Sequence, residues 1–240
     1  MQALVLAALM SAQVPCPPDA AALTREASVR AGEFDLAGAA AILEGSPSPA
    51  CATVTVAALY ARGLAEARDA FLQGGSPESL EPVRRAIAAL DRMAQNRPGP
   101  AEIARLTLSA ASAAAQSERD EMRLYLDAAL RMEALQRAAG QPGVPVISVA
   151  TVAGELWLQV HRYEEARQVF LDAAAQEGWT PRLLSGAARA AARLGEVFSA
   201  CEAFARLLDA WKARPSQPAE VDEGRAYLAR RECRPSGSPQ

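Results

Sequence analysis

His161 is the only histidine in a chain of 240 residues, and that fact removes most hydrolytic chemistry. A serine or cysteine nucleophile activated by an imidazole would depend wholly on it, and a zinc site built from several histidines has none to spare. Set in a turn between two helical stretches, His161 reads as an exposed side chain rather than a catalytic base. The glycines form no phosphate cradle, because Gly74-Gly75 and Gly140 with Gly143 lack a following Lys-Ser/Thr and a preceding strand. Acidic pairs, Asp120-Glu121 and Glu164-Glu165, fall at expected helix starts, where carboxylates complement the helix dipole. With no nucleophile–base trio, cofactor motif or metal-ligand spacing, the sequence points away from an enzyme and calls for no cofactor.

Cysteine and arginine are left. Cys16, Cys51, Cys201 and Cys233 allow three pairings; with no Cys-x-x-Cys, they read as structural disulfides or as buried free thiols. Lys212 is the sole lysine beside many arginines, and the net charge is −3. The arginines alternate with Glu and Asp, so no basic stripe emerges and no nucleic-acid partner is expected.

The elements that must carry these residues are helices. Half of the residues are apolar but only 5% are aromatic, and alanine is by far the commonest of the apolar set, nearly half of it. Alanine suits helices packed closely side by side, not the Val, Ile and aromatic strands of a sandwich or barrel. Gly/Pro clusters at 45–49, 74–77, 97–100, 140–145, 178–181 and 215–218 cut the chain into pieces of helix length. Ser76-Pro77 and Thr180-Pro181 carry helix-start chemistry, a capping hydroxyl followed by proline at the first helical position. No stretch alternates convincingly as a strand; Val144 to Val152 comes nearest and fits helical spacing as well.

Residues 1–15 hold an apolar run from Ala3 to Met10 followed by Ser11-Ala12-Gln13, read as a signal peptide or, alternatively, an ordinary apolar first helix. The run is too short to cross a bilayer, so no integral membrane segment is expected. The reading is then one helical domain over 16–232 and a disordered tail over 233–240.

The strongest motif runs from Val160 to Ala173, VHRYEEARQVFLDA. With Gly154 and Trp157 before it, Tyr163, Ala166, Phe170 and Ala173 resemble the tetratricopeptide repeat family. A shift of about 34 residues, the family's period, carries Ala166 to Ala200, Phe170 to Phe204, Pro181 to Pro215 and Gly154 to Ala188, with Gly195 at the turn. Small residues let the two helices of a pair approach, and the aromatic wedges against the next pair. His161 stands where the first copy would have a turn glycine, and Ala191 and Leu207 depart from the second. Upstream, 101–139 aligns only with about ten extra residues before the next repeat, while 32–37 looks like another turn. A generic alanine-rich bundle is the competing reading.

The resemblance, clearest over 147–214, implies an all-α fold, a right-handed α-solenoid of antiparallel helix pairs that binds a protein or peptide in its concave groove. It puts Ser148, Thr151, Glu155 and Gln159, then Arg182, Ser185, Arg189 and Arg193, on that groove, where the three arginines would receive acidic side chains or a terminal carboxylate; a merely solvated arginine face is the alternative. Trp157, Trp179 and Trp211 are expected as core wedges. In a row of helix pairs, Cys16 and Cys51 stand at the starts of parallel helices, and Cys201 lies beside a closing helix over 220–231 that ends near Cys233. The pairs Cys16–Cys51 and Cys201–Cys233 follow, each pinning one end, and they would persist in an oxidising compartment. The expectation is an exported, periplasmic or secreted, interaction module; a self-assembling structural protein and an all-α enzyme of unrecognised type are the other readings.

Overall fold

The computed structural model describes Cys16, residues 19–46, 51–96, 99–141, 143–214, 217–230 and Cys233. The leader over 1–15 and the tail from 234 onward lie outside the described residues. Those described form helices only, with no strand among them: α1 (Asp19–Gly32), α2 (Leu36–Glu44), α3 (Ala52–Leu72), α4 (Glu81–Asn96), α5 (Pro100–Ala115), α6 (Arg119–Ala138), α7 (Val149–Gln159), α8 (Tyr163–Glu177), α9 (Pro181–Arg193), α10 (Val197–Trp211) and α11 (Ala219–Leu228). None is long and apolar enough to cross a membrane.

Each helix packs on the next in sequence, and α3, α5, α7 and α9 also pack on one another in that order. Alanine makes the close approach possible: α5 buries Ala101, Ala104, Ala110, Ala111, Ala113, Ala114 and Ala115. Phe170 of α8 lies against two glycines, Gly154 of α7 and Gly186 of α9, and a methyl group on either would overlap its ring. Phe204 of α10 repeats the arrangement, packed with Leu184 and Ala188 of α9 and with Gly224 of α11, where an added Cβ would stand 3.0 Å from the ring. The small residues that looked like spacers are the seats of the aromatic wedges.

One turn joins the two helices of five pairs, and the same closure ends α6 at Gly140 (φ 69°), where the Gln141 N–H reaches back to the Gln136 carbonyl at 2.9 Å. In the pairs it joins α1 to α2, α3 to α4, α5 to α6, α7 to α8 and α9 to α10, through a left-handed residue at Phe34 (φ 71°), Gly74 (83°), Ser117 (64°), His161 (60°) and Gly195 (76°). After each of these, the next N–H reaches back five residues: Asp35 to the Arg30 carbonyl, Gly75 to Ala70, Glu118 to Ala113, Arg162 to Trp157 and Glu196 to Ala191, at 2.8–2.9 Å. This is the Schellman closure, which satisfies carbonyls left open at a helix end. His161 therefore adopts the conformation of the glycine it stands in for, at a cost of about 1–2 kcal/mol for a residue with a Cβ.

Local helix-start chemistry is partly shifted from expectation. Thr180 caps α9 by accepting from the Leu183 N–H at 3.2 Å. Ser76 accepts from the Ser79 N–H at 3.2 Å, but it closes a single turn ahead of α4, which begins at Glu81. The extra residues between α6 and α7 are tucked down by buried Val144, Val146 and Ile147. There the buried Glu133 carboxylate lies beside Gly143 and accepts from the Val149 N–H at 3.5 Å.

Both disulfides are present, Cys16–Cys51 and Cys201–Cys233. Cys233 is thus tied to α10 although it lies beyond α11, which ends at Leu228 rather than at residue 231. Trp179 corrects an expectation: it is 38% exposed in the α8–α9 loop, with the Arg206 guanidinium 4.9 Å from its ring centre. Trp211 is buried, and Trp157 is half-buried.

Candidate functional site: a cavity between the α1–α2 corner and the last described helices

The face lined by α3, α7 and α9 is not an open groove. The α1–α2 corner reaches across to the last helices, Phe34 meeting Trp211 with ring centres 5.9 Å apart and Glu33 pairing with Arg214, whose guanidinium also lies 4.7 Å over the Trp211 ring. On the other side Arg68 of α3 pairs with Glu220 of α11 at 2.9 Å. What remains between them is a cavity of about 300 Å³. Leu64, Arg68 and Phe71 face it from α3, Val152, Glu155 and Gln159 from α7, and Arg182, Ser185, Arg189 and Arg193 from α9; Phe34 and Leu36 close it from the corner. Helical spacing accounts for each set, since residues three and four apart share a face.

Arg182 holds the closure together. Only 4% exposed, it forms a two-pronged pair with Glu155, Nη2 donating to Oε2 at 3.0 Å. Its Nη1 donates to the Ala31 carbonyl at 2.7 Å, in the last turn of α1. A guanidinium offers a planar fork for the carboxylate with donors to spare, and a cation suits the negative end of α1. Burial is the largest single influence and works against its charge, but the charge and hydrogen bonds of Glu155, with the Glu220 charge and Tyr60 added, together hold the pKa above its ordinary value. The Tyr60 hydroxyl is buried nearby with no hydrogen-bond partner among the described residues. Burial, reinforced by the Glu133 charge, pushes its pKa well up and keeps it neutral.

The six residues Glu155, Gln159, Arg182, Ser185, Arg189 and Arg193 come together around this one cavity. Their states differ from a uniform receptor face. Arg182 is committed to Glu155 and Ala31, so the expectation of three equivalent receptor arginines is corrected there. Arg189 is exposed and bridges to Glu223 of α11 at 3.3 Å. Arg193 is exposed with no ion-pair partner among the described residues. Ser185 is buried, and its hydroxyl has no hydrogen-bond partner among the described residues. Ser148 and Thr151 do not serve as groove side chains: the Ser148 hydroxyl accepts from the Thr151 N–H at 3.2 Å to cap α7, and Thr151 is buried. His161 borders the cavity and shares a hydrogen bond with the Tyr163 hydroxyl at 2.8 Å.

Sequence reasoning missed Phe34, Arg68, Trp211, Arg214 and Glu220 as parts of this site. Only Phe34 carried a usable signal, an aromatic residue in a segment read as a turn. Among the described residues no group of three or more His, Cys, Asp or Glu side chains is placed to hold a metal ion. Compared with protein-family models, curated proteins and solved structures, the chain matches none.

Proposed function

We propose that the protein is an exported interaction module, a right-handed α-solenoid of tetratricopeptide-like helix pairs that engages a partner protein through the cavity between α3, α7 and α9. The observation that carries this reading is the convergence of six of the eight side chains placed by repeat phase on one cavity with two exposed arginines on it. Support for the repeat itself comes from the five like turns and from Phe170 and Phe204 seated on small residues of the flanking helices. An acidic side chain or terminal carboxylate of the partner would pair with Arg189 and Arg193 through charge-assisted hydrogen bonds. Export is supported by two disulfides that pin the first and last helices and would persist in an oxidising compartment.

The test is capture from the native envelope or secreted fraction with the wild-type chain and with the double variant Arg189→Glu/Arg193→Glu. A partner retained by the first and released by the second is the expected result. Equal retention by both overturns the cavity as the contact.

A further inference from the structure

We propose that the cavity binds a small amphipathic carboxylate, an apolar chain or ring system bearing one acid group, with the acid at Arg193 at its mouth. This goes beyond the partner reading and does not depend on it.

Closure sets the size. With the α1–α2 corner and α11 against α9 and α10, the space left is about 300 Å³, at the small end of the range typical of small-molecule pockets. Along α9 the cavity side chains run from Arg182 to Arg193, a rise of about 16 Å for a helix. An extended medium-length acyl chain matches that length.

Charge sets the class. Inside the cavity Arg182 and Arg68 are balanced by Glu155 and Glu220. Arg189 shares the surface carboxylate of Glu223. Arg193 has no acidic partner among the described residues. The C-terminus of α9 contributes roughly half a negative charge, which leaves the Arg193 end net positive. Burial along α9 falls from Arg182 to Arg193, so the mouth and the uncompensated cation coincide. Phe34, Leu36, Leu64, Val152 and Leu156 supply apolar wall, while Gln159, His161 and Tyr163 add polar groups to the lining.

A second feature points to an occupant. Ser185 lines the cavity, and its hydroxyl, which makes no hydrogen bond among the described residues, is open to the cavity rather than sealed in the core. A bound molecule carrying a hydroxyl or keto group on its chain would pair it, whereas a plain acyl chain would leave its pairing to water.

The experiment is isothermal titration of the full chain, disulfides intact, with decanoate, 3-hydroxydecanoate and decylamine. Both carboxylates should bind at one per chain with Kd below about 1 mM, the hydroxy acid at least as tightly as decanoate. Decylamine should give no saturable heat. Arg193→Glu should weaken decanoate binding by about tenfold or more, the equivalent of one lost charge-assisted contact. Arg206→Glu, which changes charge equally beside Trp179 and away from the cavity, should leave it unchanged. The proposal is overturned by no saturable decanoate binding, by equal binding of decylamine, by several molecules per chain, or by full affinity in Arg193→Glu with native circular dichroism. A partner still captured through Arg189 and Arg193 in any of those cases would leave the partner reading standing while this one falls.

Discussion

Arg182→Met tests whether the buried guanidinium closes the molecule. Methionine keeps the length and apolar stem of the side chain but removes every donor. The loss is then the Glu155 pair and the bond to the Ala31 carbonyl. Breaking a buried ion pair from one side costs about 3–5 kcal/mol, because the remaining charge is stranded. Glu155 is 29% exposed along its side chain and can recover some hydration, so a cost of about 2–4 kcal/mol is expected. The double variant Glu155→Gln/Arg182→Met removes the stranded charge as well. What remains lost is chiefly the carbonyl bond, about 1–2 kcal/mol, so the double variant should be more stable than Arg182→Met alone. Urea unfolding of the oxidised protein, followed together by far-UV circular dichroism and tryptophan fluorescence, measures both; at unchanged slope the single variant should shift the midpoint by about 1 M or more. Loss of less than about 0.5 kcal/mol in Arg182→Met, or additive losses in the double variant, would refute the argument.

Three further outcomes follow from the same geometry. His161→Gly should raise stability by about 0.5–1 kcal/mol, since the left-handed turn is relieved and only an exposed bond to Tyr163 is lost; thermal unfolding would show it, and a lowered midpoint would argue against strain at that turn. Gly186→Ala should destabilise by about 1–3 kcal/mol through overlap with the Phe170 ring, despite alanine's better helix propensity, whereas a gain would mean that the seat is slack. Burial raises the Glu133 pKa, against the opposing pull of the Val149 N–H and Arg137. Its protonated form is therefore favoured by folding, and the associated stability is complete below the ordinary glutamate pKa and lost as pH rises through the raised one. Glu133→Gln should accordingly be the more stable protein at pH 8, with the advantage shrinking toward pH 4; a difference independent of pH would contradict this assignment.

How much of this was legible depended on whether the physics was local. Phe170 and its small partners recur at fixed spacing because each pair packs on its neighbours, so Gly154 and Ala188 were readable as seats, although Gly186 was not singled out. The disulfide partners were readable because cysteines at corresponding helix ends meet wherever pairs are stacked. The turn held by Ser117 lacked the glycine that would have marked it, which is one reason the repeat faded upstream, whereas the turn at Phe34 was read as one from its neighbourhood. The closure was invisible for a different reason. Arg182 meets Ala31 across 151 residues, and that meeting depends on how every helix between them packs. Arg182 thus looked like one of three equivalent receptor arginines. Trp179 was misplaced because spacing cannot distinguish a ring facing the core from one lying under a surface arginine.

The contact between the first and last helices has a consequence for how such a chain can vary in evolution. An open stack of helix pairs tolerates duplication or loss of a pair, because each unit touches only its neighbours. Here a duplicated pair would carry Phe34 away from Trp211, Glu33 from Arg214 and the Ala31 carbonyl from Arg182 at one stroke. The number of helices between these contacts is thereby fixed by the requirement that Phe34 and Trp211, and Ala31 and Arg182, meet. Descendants of this chain should change in their loops and surfaces while keeping that number of helices between the contacts.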